Sequence, residues 1–441
     1  MQGSRNQPVL IGEFVGLGAI RILDGQFARS TSRIALPVTS LTAYPVTVLP
    51  ALVFWCSIGA LAWVYAGYPI FVAVVARAVP IRLRPTEPAP ALTVAIAVHG
   101  EAAQIVDRIA DIFAQDRSGA QLREVLIGSD GSTDGTDSLV RELARTEPRL
   151  RLLALPRGGQ TATQSALFEA ATGDVVVLSD AETRFAPGCL AALAEPFRDP
   201  RVGCATGRLE WRDEGATATS ANEGLYWHYE RIVREMESRA GLLTAVTGAL
   251  LAVRRSARRP VPPTASMDHL LPLYVREQGG IVVYVPAALA TDRPISGLRE
   301  QFRNRTRTAT RGIRANLSMV WRLAPWRAPK AAVAIWSHKL LRWGTPWFVA
   351  AAGLAGLVLG AGASAMYLVV PIAILVGAVA AAGAHLLIGT GRRPPRVAAF
   401  ARSFAVVCAA FAVGWVNVLR GRQIDIWHRA EWDAQAVTRR R

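Results

Sequence analysis

Residues 46–76 carry no charged side chain. A helix over this stretch has no polar face to turn to water, and it is long enough to cross the hydrocarbon core of a bilayer once. Trp55, Trp63, Tyr65 and Tyr68 are placed for the two interfaces, where amphipathic rings settle. Arg77, Arg82 and Arg84 follow at once, and Pro80, Pro85, Pro88 and Pro90 make the next segment an extended linker. After Lys330 the chain turns apolar again: 343–363 and 366–388 read as spans, and 398–418 as a third with Arg402 inside it. Segment 331–342, where Ser337, His338 and Lys339 interrupt apolar residues, suits an interfacial helix. Arg392, Arg393 and Arg396 make the loop between the last two spans basic, hence cytoplasmic. Three C-terminal spans then carry the arginine-rich tail outward, against the positive-inside tendency, unless one segment does not cross.

Between these ends the pattern is that of a globular domain. Apolar strands are expected at 92–98, 125–128, 149–155 and 175–178, and helices at 102–115, 134–145 and 160–171. Ile105, Ile109 and Ile112 share one face of the first helix. Strands alternating with helices at this spacing predict an α/β fold, with a mostly parallel sheet covered by helices on both faces. Ligands of such sheets sit beyond the carboxyl ends of the strands. The expected organisation is an unassigned segment 1–44, a span 45–76, a linker 77–91 and a cytoplasmic domain 92–320. An interfacial segment 321–342, about three spans within 343–419 and a basic tail 420–441 complete it.

The 441 residues carry a formal charge of +17. No nucleic-acid-binding signature accompanies that excess, and an anionic membrane surface accounts for it better. Cys56, Cys189, Cys204 and Cys408 lack paired-ligand spacing, which argues against a disulfide framework or a zinc site. His228 and His269 have no second histidine at ligand spacing and read as polar surface residues.

Two segments carry chemistry. Ser129-Asp130-Gly131-Ser132-Thr133-Asp134-Gly135-Thr136 lies where the second strand gives way to a helix. Gly131 and Gly135 permit a tight turn there, and Asp130 is placed to accept hydrogen bonds from a nucleotide base or ribose. Asp180-Ala181-Glu182 ends the fourth strand, and two carboxylates one residue apart in extended chain point the same way. Such a pair suits a divalent cation, Mg or Mn, bound against a diphosphate. Residues 223–238 include Tyr226, Trp227, Tyr229, Glu230, Glu235 and Glu237, rings and carboxylates of the kind that hold sugars; Trp227 is the favoured acceptor contact. The same aromatics at helical spacing also suit core packing.

Together with Ala97-Val98-His99-Gly100-Glu101, Gly248 and Met267-Asp268-His269, these segments resemble glycosyltransferase family 2, and the whole chain is similar to its membrane-bound polysaccharide synthases. The resemblance covers about residues 92–310 and implies a GT-A-type, Rossmann-like fold. It implies an inverting transfer from a nucleotide-diphosphate sugar, a uridine-diphosphate sugar first among them, to a saccharide or lipid-linked acceptor. By the same resemblance, donor-binding roles fall on His99, Glu101, Asp130 and Asp180, metal-binding on Asp180 and Glu182, and the general base on Asp268. Acceptor or diphosphate contacts fall on Trp227, Gly248, Gln301, Arg303 and Arg305. The chain departs from the family at three places. Glu182 stands where Asp is usual, Gln160 where Lys is frequent, and Gln301-Phe302-Arg303-Asn304-Arg305 lacks the Trp of the Q-x-x-R-W motif. A nucleotidyltransferase would need a glycine-rich triphosphate loop after the first strand, and Val98-His99-Gly100-Glu101-Ala102 is not one. A transporter or scaffold is disfavoured by few spans without an intramembrane charge pair.

Overall fold

The computed structural model describes residues 44–211, 218–293 and 297–422. Two helices come first, α1 (Tyr44–Ala62) and α2 (Tyr68–Ala78), joined without a break by one π-helical turn, Trp63–Gly67. Then β1 (Leu92–Val98), α3 (Ile105–Phe113), β2 (Leu122–Asp130), α4 (Thr136–Thr146), β3 (Leu150–Leu155), α5 (Gln160–Ala170) and β4 (Val175–Ser179) alternate. The next elements are β5 (Arg184–Phe185), α6 (Cys189–Ala194), β6 (Val202–Trp211), α7 (Ala218–Ala240), β7 (Leu250–Arg254), α8 (Met267–Glu277) and β8 (Ile281–Asp292). A long α9 (Leu298–Met319) leads to α10 (Pro329–Ala334), a π-helical turn Ile335–Leu340 and α11 (Leu341–Trp343). The last three helices are α12 (Thr345–Gly362), α13 (Val369–Gly389) and α14 (Arg396–Leu419).

The strands form one sheet in the order β3-β2-β1-β4-β7-β6-β8-β5. Every residue of β1 and β4 is buried, as an unbroken apolar run requires when both faces are covered. The period of two sorts them: Leu92, Val94, Ile96, Val98, Val175 and Val177 enter one core, and Ala95, Ala97, Val176 and Leu178 the other. The first core is completed by Ile105, Ile109 and Ile112 of α3, each contributing about 1.5–3 kcal/mol of burial at most. The second takes in α5, α8, α9 and Phe411 of α14.

The sheet is mixed rather than mostly parallel. β3, β2, β1 and β4 run parallel, but β7 is antiparallel to β4 and to β6. β6 ends and β7 begins at the same, carboxyl edge of the sheet, and α7 with residues 241–249 links them, so the two strands run antiparallel. Ser179 therefore pairs with Leu250, and the turn before β7 stands beside the end of β4. Among the described residues, four helices are long and apolar enough to cross a membrane: Thr47–Ala78, Thr345–Gly362, Ala365–Gly389 and Arg396–Leu419.

Segment α10–α11 shows why a sequence otherwise apolar carries Ser337, His338 and Lys339. His338 is buried, with Nδ1 2.7 Å from Glu237 and Nε2 3.3 Å from Glu230 of α7. Arg342 donates to Glu230 at 2.6 Å. His338, Lys339 and Arg342 face carboxylates of α7, Ser337 accepts from Trp63 Nε1 at 2.9 Å, and Trp336 is left exposed.

Candidate active site

The carboxyl ends of β1, β2 and β4 lie level, because Val98 pairs with Ser129 and Ile96 with Ser179. The residues that follow, His99, Asp130 and Asp180, come to one edge of the sheet. Asp130 is fully buried, and its carboxylate accepts from the backbone N–H groups of Gly158 at 2.6 Å and Gly159 at 3.0 Å. Its side chain thereby fixes the turn that opens α5, while its carbonyl accepts from His99 Nδ1 at 2.8 Å. Gly131 takes a positive φ of 66° and comes close to Arg157; any side chain there would be strained. The loops after β1 and β2 are stitched together: Gly100, Glu101 and Ala102 donate backbone N–H groups to Ser132, Thr136 and Asp134.

Below this edge lies a pocket of about 190 Å³. Gln160, Asp180, Gly248, Asp268, Arg307 and Arg311 are among its walls. The Gln160 amide donates to Asp180 at 3.4 Å, so the residue standing where lysine is frequent meets the carboxylate rather than leaving a gap. Gly248 lets β7's entry turn approach α8: a Cβ there would lie 3.4 Å from the Asp268 carboxyl group. Asp268 occupies the first turn of α8, its side chain about a quarter exposed. The Ser266 hydroxyl donates to it, and His269 Nδ1 lies 3.1 Å away. Burial alone would raise this carboxyl group's pKa; His269, Ser266 and the Arg311 guanidinium outweigh that and hold it below the ordinary carboxylate range. His269, expected at the surface, lines the pocket instead, with its ring 6.5 Å from that of Trp343.

The far wall comes from α9. Gln301 is buried, Arg303 exposed and Arg305 half-buried; none of the three is on the pocket wall. Arg307 and Arg311, one and two turns further on, are. Nothing in local spacing distinguishes Arg311 from the five other arginines of α9; its packing does. α9 is held from behind by α14, where Gly414 meets Ala309 and Thr310, and Asn417 donates to Thr310 at 3.4 Å. Glu182 is half-buried and outside the pocket lining, whereas the side chain of Trp227 lies outside the described residues.

Residues 93–260 match the family model of glycosyl transferase family 2. The chain carries a glycosyltransferase family 2 domain. An N-acetylglucosaminyltransferase of Mesorhizobium japonicum is 28% identical over 281 residues, 59% of this chain and 66% of the relative. One from Rhizobium meliloti is 29% identical over 241 residues, 51% of this chain and 56% of the relative. The matches thus span about half to two thirds of those relatives. Among solved structures, the mannosyltransferase PcManGT from Pyrobaculum calidifontis, in complex with GDP-Man and Mn2+, superposes with a TM-score of 0.61 at 22% identity. It covers 83% of this chain and 99% of its own. The fold is accordingly GT-A-like, with a mixed sheet.

Proposed function

We propose that this domain transfers a sugar, with inversion, from a nucleotide-diphosphate donor to a saccharide or lipid-linked acceptor at a membrane surface. The observation that carries this reading is the convergence of Asp180 and Asp268 on one pocket, with two guanidinium groups on its far wall. The donor's base and ribose are assigned to the edge formed by His99, Glu101 and Asp130, and its diphosphate to the space between Asp180 and Arg307.

A divalent cation fits the donor set. Asp180 and Glu182 offer hard oxygen ligands, and among the described residues no three His, Cys, Asp or Glu side chains cluster tightly enough to hold a metal by themselves. Mg or Mn bound there would keep further positions for phosphate oxygens and water. When bound, such a cation would neutralise charge growing on the departing diphosphate.

Asp268 then accepts the proton of the acceptor hydroxyl as that oxygen bonds to the anomeric carbon. The bond from this carbon to the diphosphate oxygen breaks on the opposite face, and its electron pair leaves with the nucleotide. A carboxylate kept ionised is a weak base, but the hydroxyl becomes acidic as the new bond forms. Availability of the charged form then matters more than its strength. A second pocket of about 250 Å³, lined by Trp211, His228, Arg231, Thr247 and Tyr284, lies next along the chain from Gly248 and supports acceptor entry from that side. Because the sequence relatives are named N-acetylglucosaminyltransferases, uridine-diphosphate N-acetylglucosamine is the first donor to try.

Asp268→Asn tests the reading in membranes expressing the full chain. Ser266 stands at the N-cap of α8 and Asn matches Asp in shape at position 268, so the fold and nucleotide binding are expected to survive while transfer falls about 100-fold or more. Near-wild-type release of nucleoside diphosphate from that variant would remove Asp268 from the mechanism.

A further inference from the structure

Arg311 is 7% exposed, yet it lines the pocket. Its Nη2 donates to the Ala265 carbonyl at 2.6 Å and reaches the Thr161 hydroxyl at 3.0 Å. Thr161 in turn donates to the same carbonyl at 2.8 Å, so the three groups close a triangle. Each corner belongs to a different element: α9, the first turn of α5, and the turn that leads into α8. Ala265 lies three residues before Asp268, and its N–H is already tied to the Pro262 carbonyl at 2.9 Å. Arg311 Nε is buried without a hydrogen-bond partner, an arrangement that packing alone does not favour.

We infer that Arg311 is the positioning residue for the proposed base, fixing the Ala265 carbonyl against Thr161 so that the first turn of α8 presents Asp268 to the pocket. Its Nη2 is spent on protein groups, which separates this role from that of a donor contact. The assignment rests on the glycosyl-transfer reading above. The charged and titratable groups around Asp268 are His269 on its own helix, Arg311 and Arg307 from α9, and Asp180 from the end of β4. Burial lowers the Arg311 guanidinium to about 10, and Asp268 opposes that shift, so the two stabilise each other's charge.

The test uses full-length protein in lipid nanodiscs with uridine-diphosphate N-acetylglucosamine as first probe and other sugar nucleotides as a panel. Arg311→Gln keeps a donor but removes the charge. We expect kcat to fall about 30-fold with donor KM within about threefold, since a misplaced base costs the transition state and not donor binding. Arg311→Lys should restore only part of kcat, because an ammonium cannot span both acceptors. Thr161→Val, which removes a single hydroxyl, should lower kcat about tenfold with an unmoved pH profile; it carries the test should Arg311→Gln fail to fold. A rise in donor KM at unchanged kcat, or wild-type kinetics in Thr161→Val and Arg311→Gln, would overturn the inference. Hydrogen exchange at the His269 and Leu270 amides, both bonded to the Ser266 carbonyl, reads the placement of α8 without turnover. Should wild type release nucleotide from no donor in the panel, the transfer reading fails. Unchanged exchange in Arg311→Gln would separately refute the positioning role.

Discussion

Asp180 and Asp268 face one pocket, and their neighbours suit them to different work. Asp180 follows directly on a fully buried strand, with the Gln160 amide 3.4 Å from its carboxylate, and is proposed to meet the cation. Asp180→Ala should weaken donor binding and turnover together, and calorimetry in the presence and absence of chelator checks it: the wild type should lose affinity with chelator, the variant should not lose more. Asp268 instead has its charge stabilised by His269, Ser266 and Arg311. A carboxyl group whose folded pKa is depressed stays charged as pH falls through the ordinary value of about 3.9, and its stabilising contribution is lost only below that. Wild-type kcat should accordingly show no acidic limb assignable to Asp268 between about pH 5 and 8. A limb in that window that disappears in Asp268→Asn would contradict the geometry.

At the scale of elements, the pocket depends on close approaches between helices. Gly312 of α9 faces both Trp343 and His269, and a Cβ there would come within 2.8 Å of the His269 ring. Gly414 of α14 has no room either, with Ala309 2.9 Å from where its Cβ would stand. Gly414→Leu should push α14 off α9 and move Arg307 and Arg311 away from Asp268. The expected result is a loss of kcat of about tenfold or more with nucleotide binding weakened but not abolished, because Arg307 leaves the diphosphate while the base edge built on β1 and β2 stays in place. Measuring both quantities in nanodiscs separates this from general unfolding, which would abolish them together.

Over the whole molecule, a buried seam of charge joins the α/β domain to the segments beside it. Glu230 of α7 receives Arg342, Arg234 and His338, and Glu237 receives His338 and Tyr68 of the first long apolar helix. Burial would raise the Glu230 carboxyl pKa; the cations around it, Arg342 foremost, hold it well below the usual range. Glu230→Leu leaves several buried cations without their partner and should destabilise the protein by about 3–5 kcal/mol, read as a lower thermal midpoint in detergent. From the basic residues bordering the first apolar helix we propose that the α/β domain faces the cytoplasm. Gln121→Cys, at an exposed position before β2, should resist an impermeant thiol reagent in intact cells and react after lysis; labelling in intact cells would reverse the orientation.

The sequence by itself determined what depends on local period and composition. The apolar runs at β1 and β4, the amphipathic α3 and the uncharged stretch beginning near Thr47 all declare themselves through side-chain spacing. The turn at Asp130 and the carboxylate at Asp180 are legible for the same reason, since they follow strands whose ends are set by neighbouring residues. Tertiary structure decided the rest. β7 enters the sheet from its carboxyl edge, antiparallel to β4, and that placement brings Gly248 against Asp268. Six arginines lie from residue 299 to residue 314, and local spacing gives no reason to prefer one of them. α14, about a hundred residues later, fixes how α9 lies and so which guanidinium groups reach the pocket. Likewise His338 reads as an interfacial residue until α7 supplies Glu230 and Glu237. Contacts between segments far apart in sequence carry no local period, and the energy that selects them appears only when the elements pack.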